Sequence, residues 1–355
     1  QRLPNPLWCA MFSRRSLLGI LGTSFFLLFA RQRDAIASLL FKPKRHEKPR
    51  IDHDPYMQGN KAVVGIAYAK GSVKDGVREA LSLIGGLERL KIKDKTVLVK
   101  PNCVSSKPSP ATTNPKVISA VVELLYEQGA KKVVVGDMSA LATFSTKRNM
   151  KKNGMAKAAL DSGAEVVVFE DYDWVSVDIL GAQYVETAYV TEWLYKTDII
   201  VNLPVIKTHR SASYSITLKN FIGCTHLKQR PYLIDAKHWE ELIAEFNLAC
   251  RPHLNIVEGT VSMIEHGPWE GTPAETNLII ASSDRVAADI TGLGVIKSFG
   301  KWGMVADKDV WAQKQIQHAV RLNVGKDKDS IKLIAGKGDE RFNELIGNVR
   351  RLTGL

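Results

Sequence analysis

The chain is poor in the residues that build redox and metal centres. Four cysteines occur among 355 residues, at positions 9, 103, 224 and 250, and no two of them form a CxxC pair. That spacing excludes a locally encoded ferredoxin-type cluster or zinc ribbon, so no cofactor is assigned. Cys103, Cys224 and Cys250 allow either one disulfide with a free thiol or three buried thiols. Histidine is also sparse, eight in all, with no HxH or HxxxH pair. A metal site assembled from His209, His226, His266 and a carboxylate is therefore the weakest reading of those residues, and no metal ligand is expected. The longest early uncharged run, Leu17 to Ala30, falls short of the ~18 residues that span a bilayer. No Lys/Arg run is interleaved with aromatics, so nucleic acid is not an expected partner despite a net charge of +12.

What the chain does contain begins with its N-terminus. Ser13-Arg14-Arg15-Ser16-Leu17-Leu18 leads into the uncharged run, and Ala35-Ile36-Ala37 supplies small residues for cleavage. Residues 1–37 are read as a twin-arginine-type export signal, with Met11 as its natural start and residues 1–10 upstream. The expected location is across the cytoplasmic membrane, in the periplasm or outside the cell. Membrane association would come through an uncleaved N-terminal segment. Without the signal the chain keeps a net +8, from 44 basic and 36 acidic residues, which favours anionic ligands. Residues 38–60, with Pro43, Pro49 and Pro55 among lysines and arginines, read as a flexible polar linker, and residues 61–355 as the folded domain.

From Lys61 onward, short β-branched runs alternate with helical patterns. Asn114-Pro115 is a strong helix start, followed by the apolar stripe Ile118, Val121, Val122 and Leu125. Two successive helix-Gly-Ala-strand units, around Gly129-Ala130 and Gly163-Ala164, argue for right-handed βαβ connections. The fold class is α/β: a mostly parallel sheet with helices on both faces and a smaller α+β region inserted or appended. Asp171 to Lys196 is the irregular stretch, read as a hairpin or an insertion.

In such sheets ligands collect beyond the carboxyl ends of strands. Lys100 and Asn102 end one strand and Asp137 ends another. Val201 to Gly223 is expected to be a strand opening into a polar loop, with Lys207, Thr208, His209, Arg210, Lys219 and Asn220. Glu258 is placed at a further strand exit, and Met263 to Pro268 forms a loop near Lys207 and His209. Basic and hydroxyl groups together suit a carboxylate or phosphate. A histidine among them suits proton transfer, with Glu258, Glu265 or Asp137 tuning it. His209, Lys207, Lys219 and Glu258 are the catalytic candidates. Lys100, Asn102, Asp137, Thr208 and Asn220 are the ligand-binding candidates. Asp284 is read as a helix cap.

The segments Val99-Lys100-Pro101-Asn102, Ala111 to Pro115, Gly136-Asp137, Leu203 to His209, Leu218 to Gly223, Ile256 to Gly259 and Gly267 to Pro273 occur in the order found in the DUF362 family, which the chain resembles over about Lys61 to Ser298. That family of bacterial and archaeal proteins has no agreed function. Many relatives append a cysteine-rich ferredoxin-like module, and this chain has none. The expected activity is an enzyme acting on a small anionic substrate by acid/base chemistry. The alternative is a binding protein for an anionic ligand, metal or redox cofactor.

Overall fold

The structure, a computed structural model, describes residues 42–355. The expected export signal lies outside the described residues. Strands β1 (Arg45–Glu47) and β2 (Ala62–Tyr68) precede helix α1 (Val73–Leu83). Then come β3 (Thr96–Pro101), α2 (Pro115–Glu127), β4 (Lys132–Asp137), α3 (Thr146–Lys152), α4 (Met155–Asp161) and β5 (Glu165–Val168). The hairpin β6 (Trp174–Asp178) and β7 (Thr187–Thr191) leads to β8 (Ile199–Leu203), β9 (Val205–His209), β10 (Ser213–Ser215) and the single turn α5 (Thr217–Asn220). The chain continues through α6 (Trp239–Phe246), β11 (Leu254–Glu265), β12 (Thr272–Ser282), α7 (Arg285–Ser298), α8 (Lys314–Arg321), β13 (Ile331–Ala335) and α9 (Glu340–Thr353).

The large sheet runs β13-β2-β12-β11-β8-β3-β4-β5. β12 is antiparallel to both neighbours, and the other pairs along that path are parallel. Residues two apart share a face. Val97 and Val99 of β3, Val133 and Val135 of β4 and Val201 of β8 therefore join Val77, Val121 and Met155 of the helices in one core. The intervening Leu98, Val134 and Ile200 are buried on the other side, and α7 packs on β2, β9, β11 and β12 without entering that core. The expected α/β class holds. Asn114 caps α2 by accepting from Lys116 N, and Asp284 caps α7 by accepting from Ala287 N. The three described cysteines are free and buried.

Three expectations change. Residues 43–60 are not a tether: β1 pairs with β6, which with β7 makes a separate three-stranded sheet. Arg50 donates to the carbonyls of Leu194, Thr197 and Asp198 at 2.6–2.7 Å, and Tyr56 is fully buried. The prolines and charges there mark an irregular segment whose long side chains find acceptors on the domain. Second, the polar loop after Leu203 is mostly strand and helix. β9 pairs with β11 and β10, with Lys207 opposite Ser215. Successive side chains of β9 face opposite ways, so Lys207 and His209 share one face while Ile206, on the other, packs beside Gly259 and Gly292. Third, Glu258 is not at an exit, because β11 runs on to Glu265.

Between β3 and β8 the strand order reverses: the chain steps outward from β3 to β4 and β5, then returns to the other side of β3. Such a switch point opens a crevice at the carboxyl ends. The turn α5 is fixed there by buried Asp289 of α7. Its carboxylate accepts from Thr217 N at 2.6 Å, Leu218 N at 3.4 Å and the Thr217 hydroxyl. Replacing Asp289 with alanine leaves those donors without an acceptor. Asp289→Ala is expected to lower the unfolding free energy by about 2–4 kcal/mol. An unchanged denaturant midpoint would show that the cap does not hold the turn.

Candidate functional site

The crevice is lined by Lys100 near the end of β3 and Asn102 just beyond it, Asp137 as the last residue of β4, Lys207 and His209 on β9, Lys219 and Asn220 on α5, Gly223, and Arg230, Tyr232 and Trp239 beyond it. Of the candidates drawn from the sequence, these include Lys100, Asn102, Asp137, Lys207, His209, Lys219 and Asn220.

At its floor lies a buried ion pair, Lys100 Nζ to Asp137 Oδ1 at 2.6 Å, with both side chains at most 4% exposed. The other carboxylate oxygen accepts from Cys103 N at 2.6 Å. Gly223 lies directly over the pair. A Cβ at that position would stand 2.2 Å from Asp137 Oδ1 and 2.6 Å from Lys100 Nζ, so no side chain fits.

A row of carboxamides continues the floor, and every hydrogen bond in it runs the same way. Lys207 Nζ donates to Asn102 Oδ1 at 2.9 Å, and Asn102 Nδ2 to Asn220 Oδ1 at 2.9 Å. Asn220 Nδ2 donates to Asn202 Oδ1 at 2.7 Å, and Asn202 Nδ2 to Asn255 Oδ1 at 3.0 Å. Asn255 Nδ2 ends on the carbonyls of Ser282 and Ser283 at 3.1 and 3.3 Å. An ammonium can only donate, so Lys207 sets the direction for the whole row. Lys207 also donates to Ala111 O at 2.5 Å. Burial, with the Lys219 charge second, pulls its pKa well below the ordinary lysine value.

The three remaining polar groups differ in how they are satisfied. His209 Nδ1 accepts from the backbone N–H of Ser211 and Ala212, both at 3.2 Å, which places the ring proton on Nε2. Burial, followed by the charges of Lys219, Lys207 and Arg210, lowers its pKa well below 6.5. With Nδ1 accepting, His209 offers Nε2–H as its ring donor. Lys219 has no hydrogen-bond acceptor or carboxylate among the described residues; its Nζ lies 5.9 Å from the centre of the Trp239 ring. Burial, then the Arg230 and Lys100 charges, brings its pKa down to about 7. Arg230 is buried, donates to the carbonyls of Met138 and Ser139 at 3.3 Å and to that of Ile222, and leaves its Nε without a partner. No carboxylate pairs with Arg230 among the described residues.

Other candidates lie elsewhere. Thr208, next to Lys207, is on the opposite face of β9 and accepts from Gly267 N at 3.0 Å. Glu258 is outside the crevice. Its Oε1 accepts from Thr260 N at 2.9 Å and Thr260 Oγ1 at 2.5 Å, and Oε2 from Ser109 Oγ at 3.5 Å. Burial raises its pKa to about 6, and it serves to hold the 109–114 segment. Arg210 is exposed. The expected loop after Met263 does approach: Arg210 N donates to Gly267 O at 3.1 Å and Pro268 lines the crevice. His226 and His266 pack instead on Trp174 and Trp302. His209 is the one imidazole lining the crevice, and no group of three or more His, Cys, Asp or Glu among the described residues is placed to hold a metal ion. In a larger groove at Tyr68, Asn277 and α9, Asp339 is bound to the Tyr68 hydroxyl at 2.5 Å and to Lys70 at 3.7 Å.

Arg230 and Trp239 line the crevice, and the sequence pattern does not mark them. Trp239 reads as the apolar side of a helix. Arg230 lies between short turns with no periodicity around it.

A mostly parallel α/β sheet with a cation-lined crevice at its switch point defines the class. The chain belongs to the DUF362 family, described as a domain of unknown function, which matches residues 97–294. A relative named as a thylakoid-associated protein of Synechocystis sp. is 26% identical over 236 residues, 63% of this chain and 70% of that protein. Among solved structures, the lactate racemase apoprotein from Thermoanaerobacterium thermosaccharolyticum has a TM-score of 0.37 at 12% identity, covering 84% of this chain and 88% of that one. A Thermotoga maritima protein has 0.38 at 14% identity, covering 79% and 91%.

Because Lys100 and Asp137 are out of water, removing one partner strands the other. Asp137→Ala is expected to cost about 3–5 kcal/mol of stability, while the double replacement Lys100→Met with Asp137→Leu costs less. Equal costs for the single and double variants, measured by denaturant unfolding, would contradict the pairing.

Proposed function

We propose that this protein is an enzyme that holds a small carboxylate- or phosphate-bearing substrate in the crevice and moves a proton with Lys219. One observation carries the reading. Lys207, Lys219 and Arg230 line one small crevice with no carboxylate partner among the described residues, and the single lining carboxylate, Asp137, is already engaged by Lys100. Lys207 and Arg230 are buried and Lys219 is half-buried; charge held there without a counter-charge is costly, and an anionic ligand supplies what is missing. The Arg230 guanidinium and Lys207 orient the anion. His209 donates through Nε2–H to a substrate oxygen, and Lys219 exchanges the proton near neutral pH. The same reading sends the protein across the cytoplasmic membrane through its twin-arginine-type N-terminus. Thylakoid association of a relative is compatible with that destination.

Oxalate serves as a probe, because its charge is constant above pH 5. Lys219 carries its positive charge below about pH 7 and loses it above. Oxalate affinity is therefore expected to fall as pH rises through 7, and this step should vanish in Lys219→Met. Arg230→Met should weaken binding by about 10- to 100-fold. Calorimetry showing no oxalate binding at pH 6 would sink the anion-site reading. Replacing Arg14 and Arg15 by lysine should leave the protein in the cytoplasm, as read by cell fractionation.

A further inference from the structure

The crevice presents three lysines, and their surroundings assign them different chemistry. Lys100 is bound into an ion pair at 2.6 Å and also donates to Pro101 O at 2.8 Å. Lys207 gives hydrogen bonds to Asn102 Oδ1 and Ala111 O. Both nitrogens are held in place as donors by fixed protein acceptors. Lys219 has no acceptor at all among the described residues. Its nitrogen lies against the Trp239 ring, in a wall shared with the guanidinium of Arg230.

We propose that Lys219 is a nucleophile that forms an imine with a small 2-oxo acid, whose carboxylate is held by Arg230 and whose carbonyl oxygen accepts from His209 Nε2–H. This rests on the anion-binding reading of the crevice and names its substrate class. In the step, the Lys219 nitrogen attacks the carbonyl carbon. The two amine hydrogens depart with the carbonyl oxygen as one water, and a C=N bond replaces C=O. No oxidant or reductant is consumed. Protonated from solvent, the imine draws electrons from the neighbouring carbon, which makes loss of a proton or of carbon dioxide there easier. An amine flanked by cations and a hydrophobic ring is the environment in which a lysine remains nucleophilic at neutral pH. Proximity to Arg230 and Lys100 and burial act on Lys219 in that direction.

The test is reductive trapping of the full chain at pH 7 with pyruvate and cyanoborohydride, followed by intact-mass and peptide mapping. The expected result is one adduct, pyruvic acid less one oxygen, on the peptide containing Lys219. Labelling there should outpace surface lysines by roughly a hundredfold or more, since those amines are nearly all protonated at pH 7. Prior addition of oxalate should slow it, and Lys219→Arg should abolish the adduct while the far-UV circular dichroism stays unchanged. Labelling scattered over surface lysines, or an adduct that persists in Lys219→Arg, overturns the proposal. Oxalate binding without any adduct from pyruvate or 2-oxoglutarate also overturns it and leaves the anion site standing. Failure of both oxalate binding and trapping removes the anion site as well.

Discussion

The structure depends on one buried ion pair. Lys100 and Asp137 come from adjacent parallel strands, β3 and β4, and meet at 2.6 Å beyond their carboxyl ends. Desolvating both ions is tolerable because each has further partners: Asp137 takes the Cys103 N–H, and Lys100 the Pro101 carbonyl. The pair dictates what may lie above it, and the absence of a Cβ at Gly223 answers that demand. The 3₁₀ turn carrying Gly223 follows directly from α5, so the same contact fixes where Lys219 and Asn220 enter the crevice.

With Asp137 spoken for, the remaining cations are left to one another. Burial lowers the pKa of both Lys207 and Lys219, with the Lys219 charge adding to it at Lys207 and the Arg230 and Lys100 charges at Lys219. His209 adds no charge, since burial and the same neighbours keep it neutral. Among the lining residues these cations have no carboxylate of their own, because Asp137 is taken by Lys100. The groove at Tyr68 offers a contrast, since its Asp339 is bound by both the Tyr68 hydroxyl and Lys70.

Much of the architecture was legible because parallel strands announce themselves as β-branched runs closed by glycine, and because Asn114-Pro115 and Asp284 are local signals for helix starts. The site was legible where a residue stands at a strand's end, as Lys100, Asn102 and Asp137 do. It was illegible where long-range pairing decides. Nothing near Glu258 tells that β11 continues past it to pair with β12 as far as Glu265. Val205 to His209 reads as loop since its polar residues look solvent-seeking, yet alternation sends Lys207 and His209 to the crevice and Ile206 into the core. Thr208 shows the same rule from the other side. Arg230 could not be found by pattern, because what marks it is a missing partner in space. The 43–60 segment failed as a tether for a related reason: Arg50 finds its carbonyls some 144–148 positions away.

The carboxamide row is a polarised object. Each asparagine offers its oxygen to one neighbour and its amide hydrogens to the next, so turning a single member over would set oxygen against oxygen on one side and N–H against N–H on the other. The row can hold only two consistent states, all amides one way or all reversed. The ammonium of Lys207 at one end and the carbonyls of Ser282 and Ser283 at the other both select the same state. Geometry at the crevice is thereby tied to the backbone that opens α7, across the width of β11 and β8, by a set of switches that must all agree.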